Sequence, residues 1–279
     1  MQTIKEYVAQ RKEEIKEEVK NFPNIKLVIV QVGDVPASNA YIRGKMKDCA
    51  EVNINCELIR LPEEITEAEL LAEVDKLNKD DSVTGFIVQL PLPKHIREAS
   101  VISAINPDKD VDGFSPLALV NPGTPQGIID YLEANNFDFV NKNAVVIGRS
   151  NIVGRPIAKL LLDRSCNVSV IHSKTSFPNK NRLLSHADLI ICATGHRNTI
   201  TDDDLGFTEF DPVDNIFKTY HNTWVFIVDV GMNQNDLGKL CGDCENVTVA
   251  EKTPVPGGVG LTTRLALITN LMKLAKFKK

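Results

Sequence analysis

The chain has 279 residues, 43% hydrophobic and 25% charged, which excludes collagen, disorder and a disulfide scaffold and, at roughly 150 residues per domain, predicts two domains. Lysines and arginines number 32 against 37 acids, a net charge of -5; no basic stripe dominates, so nucleic acid is not an expected partner. No apolar run reaches the ~20 residues of a membrane span, and Met1–Glu6 has no apolar signal core, so a cytoplasmic protein without a membrane partner is expected.

An amphipathic helix is predicted over 4–20, with Ile4, Val8, Ile15 and Val19 on related faces among many Lys and Glu. Lys26–Val32 is a near-continuous apolar strand of the kind buried in parallel sheets. A helix over Ser38–Val52, capped by Ser38, an extended Asn55–Leu61, a helix over Ala68–Asn78 and an apolar strand over Gly85–Leu90 follow. This alternation predicts βαβ units, hence a parallel sheet with helices on its faces. Asn106–Pro125 is rich in turn residues and is the expected joint between domains. A second series has strands at Ala144–Ile147, Asn167–Ile171, Asp188–Ala193 and Thr223–Val230. Residues 199–222 read as a surface loop with an embedded helical turn, and a last helix runs from about Thr262 to Lys276.

Six cysteines spread over the chain fit buried thiols in a reducing compartment. Cys241 and Cys244 form a C-x-x-C without two further zinc ligands at matching spacing, so no metal is expected. The strand Ala144–Ile147 runs into Gly148-Arg-Ser-Asn-Ile-Val-Gly154, then Arg155-Pro156 and an apolar helix. Strand, glycine turn and helix are the layout of a nucleotide-binding βαβ unit, in which glycine lets the backbone approach a pyrophosphate and the helix N-terminus offers N–H groups. The spacing departs from G-x-G-x-x-G, with Ser150 at the second glycine and the last glycine one residue late, so a plain βα turn also fits. Gly148-Arg-Ser150 partly resembles a nucleophile elbow, but Ile152 stands where that motif needs glycine. The next strand ends in His172-Ser-Lys-Thr175, without the acid that would hold a ribose 2′-OH. Arg149, Ser173 and Lys174 suit a 2′-phosphate instead, which favours NADP; a merely polar strand end is the alternative.

In the first half, Tyr41 and Lys45 share a helix face bordering the apolar stripe of Ile42, Met46 and Cys49. A solvated lysine is the plainer account. Gln89 is an amide where the buried strand runs out, and Asp112 lies at the proposed joint, where clefts favour ligands.

Six segments in register over nearly the whole chain carry a closer resemblance: Pro36-Ala-Ser-x-x-Tyr41-x-x-x-Lys45, Val88-Gln-Leu-Pro-Leu-Pro93, Lys109-Asp-Val-Asp-Gly-Phe114, Gly148-Arg-Ser-x-Ile-Val-Gly154, His172-Ser-Lys-Thr175 and Thr253-Pro-Val-Pro-Gly-Gly-Val-Gly260. The sequence resembles the bifunctional methylenetetrahydrofolate dehydrogenase/methenyltetrahydrofolate cyclohydrolase family. The resemblance implies an α/β fold of two domains with the active-site cleft between them. A folate-binding catalytic domain with a parallel-strand core would span 1–117, rejoined by 259–279, and a Rossmann-like NADP-binding domain 118–258. It implies that Lys45 is the catalytic lysine, that Tyr41 packs on the folate, that Gln89 partners the lysine and that Asp112 holds the pterin. Val88, Leu90, Pro256, Gly257 and Gly258 would complete the substrate site. Gly148, Arg149, Ser150, Ile152, Gly154, His172, Ser173 and Met232 would hold NADP. It further implies a homodimer. Gly260-Leu-Thr-Thr263 stands where the family has Gly-Pro-Met-Thr, and Met232 where it has isoleucine. A dehydrogenase without cyclohydrolase activity and a non-enzymatic nucleotide-binding module are the competing readings; intact Tyr41, Lys45, Gln89 and Asp112 speak against the second.

Overall fold

Short apolar strands pairing in parallel organise both halves of the chain. The computed structural model describes residues 1–22 and 24–277. In chain order the first half holds α1 (Ile4–Val19), β1 (Lys26–Val32), α2 (Pro36–Glu51), β2 (Asn55–Leu61), α3 (Glu67–Lys79), β3 (Gly85–Val88) and α4 (Glu98–Ala104). The second half holds α5 (Gly123–Ala134), β4 (Asn143–Ile147), α6 (Gly154–Leu162), β5 (Asn167–Ile171), α7 (Phe177–Leu184), β6 (Leu189–Cys192), a 3-10 turn (Asp202–Leu205), β7 (Gly206–Asp211) and β8 (Ile216–His221). Then come β9 (Phe226–Asp229), β10 (Asn233–Gln234), β11 (Leu240–Cys241), β12 (Glu251–Lys252) and α8 (Val259–Phe277).

Two compact units result. One comprises Glu6–Gly123 and the chain from Thr263 onward; the other comprises Met1–Lys5 and Thr124–Thr262. The divisions thus fall at 123/124 and 262/263, against the 117/118 and 258/259 expected. The first five residues go with the second unit because the Gln2 N–H donates to Asn135 Oδ1 (2.5 Å) and the Tyr131 hydroxyl donates to the Gln2 carbonyl (2.9 Å). Residues 278–279, part of the segment expected to rejoin the first domain, lie outside the described residues.

The first unit carries a parallel sheet in the order β2-β1-β3. Central β1 is buried at every position after Lys26, as a strand covered on both faces must be. Leu70, Val74 and Leu77 of α3, at helical spacing, pack with Val28, Val30, Phe86 and Val88. Helix α2 starts earlier than expected, with Val35 as its N-cap and Pro36 in the first turn; Ser38 lies inside the helix and makes no cap. Proline's preset φ initiates the helix there and needs no N–H. For the same reason α5 takes Pro125 into its first turn, within a stretch that reads as pure linker.

In the second unit the five-stranded sheet runs β12-β9-β6-β4-β5, all parallel. The chain leaves β4 for β5 on one side and then crosses to β6 on the other, so the strand order reverses at the C-terminal end of β4. Such reversals are where open α/β sheets bind ligands. The helical turn expected within 199–222 is the 3-10 turn at Asp202–Leu205, but the rest of that stretch, expected to be loop, is an antiparallel β7–β8 hairpin. Its turn is built by Asp211 Oδ1, which accepts the N–H groups of Val213 (2.8 Å) and Asp214 (3.3 Å), and by Asn215 at φ 53°. Lys218 neutralises Asp211 at 2.7 Å, and Phe207 lies against Tyr220 and Trp224 with ring centroids 5.8 and 5.9 Å away. On the two arms Phe207 and Phe210, and Phe217 and Tyr220, stand three apart, so no strict alternation marks this hairpin in the sequence. Among the described residues, no helix is long and apolar enough to cross a membrane.

Candidate active site

The segment Lys109-Asp-Val-Asp-Gly113 shapes one wall of the site. Lys109 is buried and its Nζ donates to the carbonyls of Leu77 (2.9 Å) and Asp80 (2.7 Å), closing the end of α3. Asp110 accepts the N–H groups of Gly113 (2.9 Å) and Ser115 (2.8 Å), which folds the turn around Asp112. From α8, the fully buried Asn270 donates to the carbonyls of Val111 (3.0 Å) and Asn121 (2.9 Å).

Lys45 on α2 is only 7% exposed, so the solvated-lysine account fails. Its Nζ donates to Gln89 Oε1 at 3.0 Å. Gln89 is held by two further bonds, its backbone N–H to the Val30 carbonyl (2.8 Å) and its Nε2 to the Leu90 carbonyl (2.7 Å). The second leaves the amide oxygen aimed at the lysine. Burial pushes the Lys45 ammonium below the usual lysine range, opposed first by the charge of Asp112. Burial likewise pushes the Asp112 carboxyl up, opposed by Lys45. Both groups are thereby driven toward neutral forms, which is how a site gains a proton donor and acceptor at ordinary pH. The Tyr41 phenol, one helical turn before Lys45, is also raised by burial, with Arg264 acting against it. Tyr41, Lys45, Gln89 and Asp112, with Val88 and Leu90 flanking the glutamine, therefore gather in the first unit.

Sequence reasoning did not single out the charges behind this group. Asp48, 3% exposed, accepts from Lys12 Nζ at 2.5 Å, and Arg264 Nε of α8 lies 2.7 Å from its other oxygen. Cys56, on β2, hydrogen-bonds Cys49 one turn beyond Lys45, which lowers the Cys56 thiol. Nothing local marks either pairing.

In the second unit, Gly148 has φ 113°, and a Cβ there would collide with the Ala193 carbonyl after β6. A Cβ on Gly154 would collide with the Gly148 carbonyl. Both glycines are therefore required for close approach, although their spacing departs from the usual fingerprint. The N–H groups of Val153 (3.2 Å) and Gly154 (3.3 Å) donate to Ser150 Oγ, so these donors, expected to be free for phosphate, are taken up by the serine. Arg149 and Ile152 are exposed, and among the described residues Arg149 has no carboxylate partner. Thr175 Oγ1 accepts the His172 N–H (3.0 Å), folding a turn that leaves Ser173 and Lys174 exposed at the end of β5. Met232, 57% exposed, follows β9. Pro256, Gly257 and Gly258 belong to this second unit, unlike the other proposed substrate residues. The close-approach glycines and the unpaired, exposed Arg149 fit a dinucleotide with an anionic 2′ group.

A doubly wound sheet with a glycine turn at its reversal point, in one chain with a buried lysine–aspartate pair, defines the class of dinucleotide-dependent two-domain α/β enzymes. Comparison with known proteins narrows the class. Residues 2–112 match the tetrahydrofolate dehydrogenase/cyclohydrolase catalytic domain, and residues 122–209 and 215–279 match the NAD(P)-binding domain of the same family. The unmatched residues 210–214 fall where β7 turns into β8. The bifunctional protein FolD of Bacillus cereus is 43% identical over 263 residues, covering 90% of this chain and 86% of the relative. The crystal structure of the bifunctional FolD methylenetetrahydrofolate dehydrogenase/cyclohydrolase from Campylobacter jejuni is 38% identical, with a TM-score of 0.88 over 98% of this chain and 97% of that one. The Trypanosoma brucei enzyme, solved with NADP cofactor and inhibitor, is 25% identical, with a TM-score of 0.84 over 98% and 95%. The chain belongs to the tetrahydrofolate dehydrogenase/cyclohydrolase family. It is a bifunctional oxidoreductase and hydrolase of folate one-carbon metabolism with an NAD(P)-binding domain.

Proposed function

We propose that Lys45, Tyr41, Gln89 and Asp112 serve both reactions of this enzyme, the oxidation of 5,10-methylenetetrahydrofolate and the hydrolysis of the 5,10-methenyl product to 10-formyltetrahydrofolate. The observation that carries this reading is the buried Lys45, bonded to Gln89 at 3.0 Å and set electrostatically against Asp112. Asp112 accepts hydrogen bonds from the amide and amino edge of the pterin, and Tyr41 packs on the ring. Val88, Leu90 and Pro256–Gly258 border the folate. NADP⁺, when bound, accepts the hydride from the methylene carbon. Water addition to the resulting cation and cleavage of the C–N bond need proton movement, which Lys45 supplies. The cationic substrate pushes the lysine further toward its neutral form, since like charges disfavour the ammonium. Gln89 orients the amine. Both steps pass through one carbon, so one site serves both.

Gly148, Arg149, Ser150, Ile152, Gly154, His172, Ser173 and Met232 hold the dinucleotide, with Arg149 and Ser173 on the 2′-phosphate. A charged hydrogen bond contributes ~1.5–3 kcal/mol. Arg149→Ala should therefore weaken NADP⁺ about ten- to a hundredfold and NAD⁺ much less; equal losses in a direct binding titration would remove Arg149 from the 2′-phosphate. The resemblance also supports a cytoplasmic location and a homodimer; light scattering on the purified protein tests the dimer.

Anaerobic titration with methylenetetrahydrofolate and NADP⁺ tests the shared site. Methenyl absorbance should rise and then decay. Rise without decay would leave a dehydrogenase alone, and no rise at all would overturn the reading.

A further inference from the structure

We propose that Asp243 is a positioning residue for the dinucleotide, its buried carboxylate locking the loop after β6 to the loop after β9 along the rim of the second sheet. The proposal rests on the reading of that rim as the NADP site. Asp243 is 0% exposed. Its Oδ2 accepts the backbone N–H groups of Thr194 (2.7 Å) and Gly195 (3.0 Å) and the Thr194 hydroxyl (2.9 Å). Its Oδ1 accepts Asn233 Nδ2 at 2.9 Å. One carboxylate thus bonds both loops.

Asp243 is itself fixed by the end of β9. Its backbone N–H donates to Asp229 Oδ1 (2.8 Å), while Asp229 also accepts from Gly231 (3.0 Å) and Cys244 (2.9 Å). The Asp243 carbonyl accepts the Thr199 N–H at 2.9 Å. A buried carboxylate is costly unless its oxygens are satisfied. Here no lysine, arginine or histidine of the described residues pairs with Asp243, and the compensating donors belong to residues 194–195 and 233, with the Cys192 thiol at the end of β6 adding a longer contact at 3.8 Å. Those residues flank the strand ends where a dinucleotide seats. Ala193, directly before Thr194, presses its carbonyl on Gly148 of the glycine turn. Met232 lies between Gly231 and Asn233. Releasing Asp243 would therefore loosen cofactor-facing backbone on both sides of β6 and leave the Lys45 group untouched.

The bifunctional enzyme provides the control, because methenyl hydrolysis can be assayed without nucleotide. Displacements of about 1 Å at a positioned group cost up to ~10²-fold. Asp243→Ala in the full chain should raise the NADP⁺ Kd and KM roughly ten- to a hundredfold, with nucleotide-free hydrolysis within about twofold of wild type. Asp243→Asn keeps one oxygen for Thr194 and Gly195 and should recover most of the affinity. Unchanged NADP⁺ affinity in Asp243→Ala would overturn the proposal. So would equal loss of both activities with no rescue by asparagine, which marks a structural role. If the alanine variant does not fold, Asp243→Asn carries the same comparison, with a several-fold rise in NADP⁺ KM at constant hydrolysis as the expected result and no rise as the refutation. A wild-type protein that binds no NADP⁺ would instead defeat the functional reading itself.

Discussion

Replacing Lys45 by methionine should cut methenyltetrahydrofolate hydrolysis by ~10²–10⁴-fold, the usual contribution of a general acid–base group. Methionine keeps the length and apolar stem that fill the buried space on α2, so lost charge is separated from lost packing. The dehydrogenase step should suffer less, because the hydride passes directly from the folate carbon, and methenyltetrahydrofolate should accumulate as near-ultraviolet absorbance. The pH dependence has a definite sign. Burial holds Lys45 below its ordinary 10.5, so the neutral amine appears at a lower pH than for a free lysine. Hydrolysis by the wild type should rise with pH and level off before that value, and the limb should vanish in the variant. Linkage also predicts the fold survives. A lysine whose folded pKa is depressed opposes folding wherever it is protonated in the unfolded chain, so removing it takes away a penalty below pH 10.5. The Gln89 oxygen that loses its donor costs about 1–3 kcal/mol in the other direction. Hydrolysis at the wild-type rate in folded Lys45→Met would end the proposed proton role.

Asp112→Ala should raise the folate KM by ~10²–10⁴-fold or abolish turnover, since two hydrogen bonds to a charged acceptor contribute about 1.5–3 kcal/mol each. NADP⁺ binding, read by fluorescence, should persist, because Asp112 and the glycine turn belong to separate compact units. Asp112→Asn separates the charge from the shape. Asp112 is the largest influence holding the Lys45 pKa up; without its charge, whatever hydrolysis remains should have its pH limb displaced downward. Loss of folate and nucleotide binding together would make Asp112 a structural residue.

The periodic elements and the short-range turn chemistry are legible in the residues alone. The apolar run Lys26–Val32 coincides with β1 because a strand buried on both faces is apolar nearly throughout, and Asn167–Ile171 coincides with β5, a partly exposed edge strand. Gly148 and Gly154 could be read from their place between strand and helix, and the Tyr41–Lys45 spacing from one helical turn. Six motifs in register carried the family. Proline at helix starts misled the reading of α2 and α5, because the residue that breaks a helix interior suits its first turn. Which charges are buried and what they meet follows from the folded arrangement. Lys45 reaches Gln89 across 44 positions, Asp243 reaches Thr194 across 49, and Gln2 reaches Asn135 across 133. Whether a lysine is solvated or driven toward neutrality depends on desolvation and partner charges supplied by those distant segments, and no local pattern encodes them.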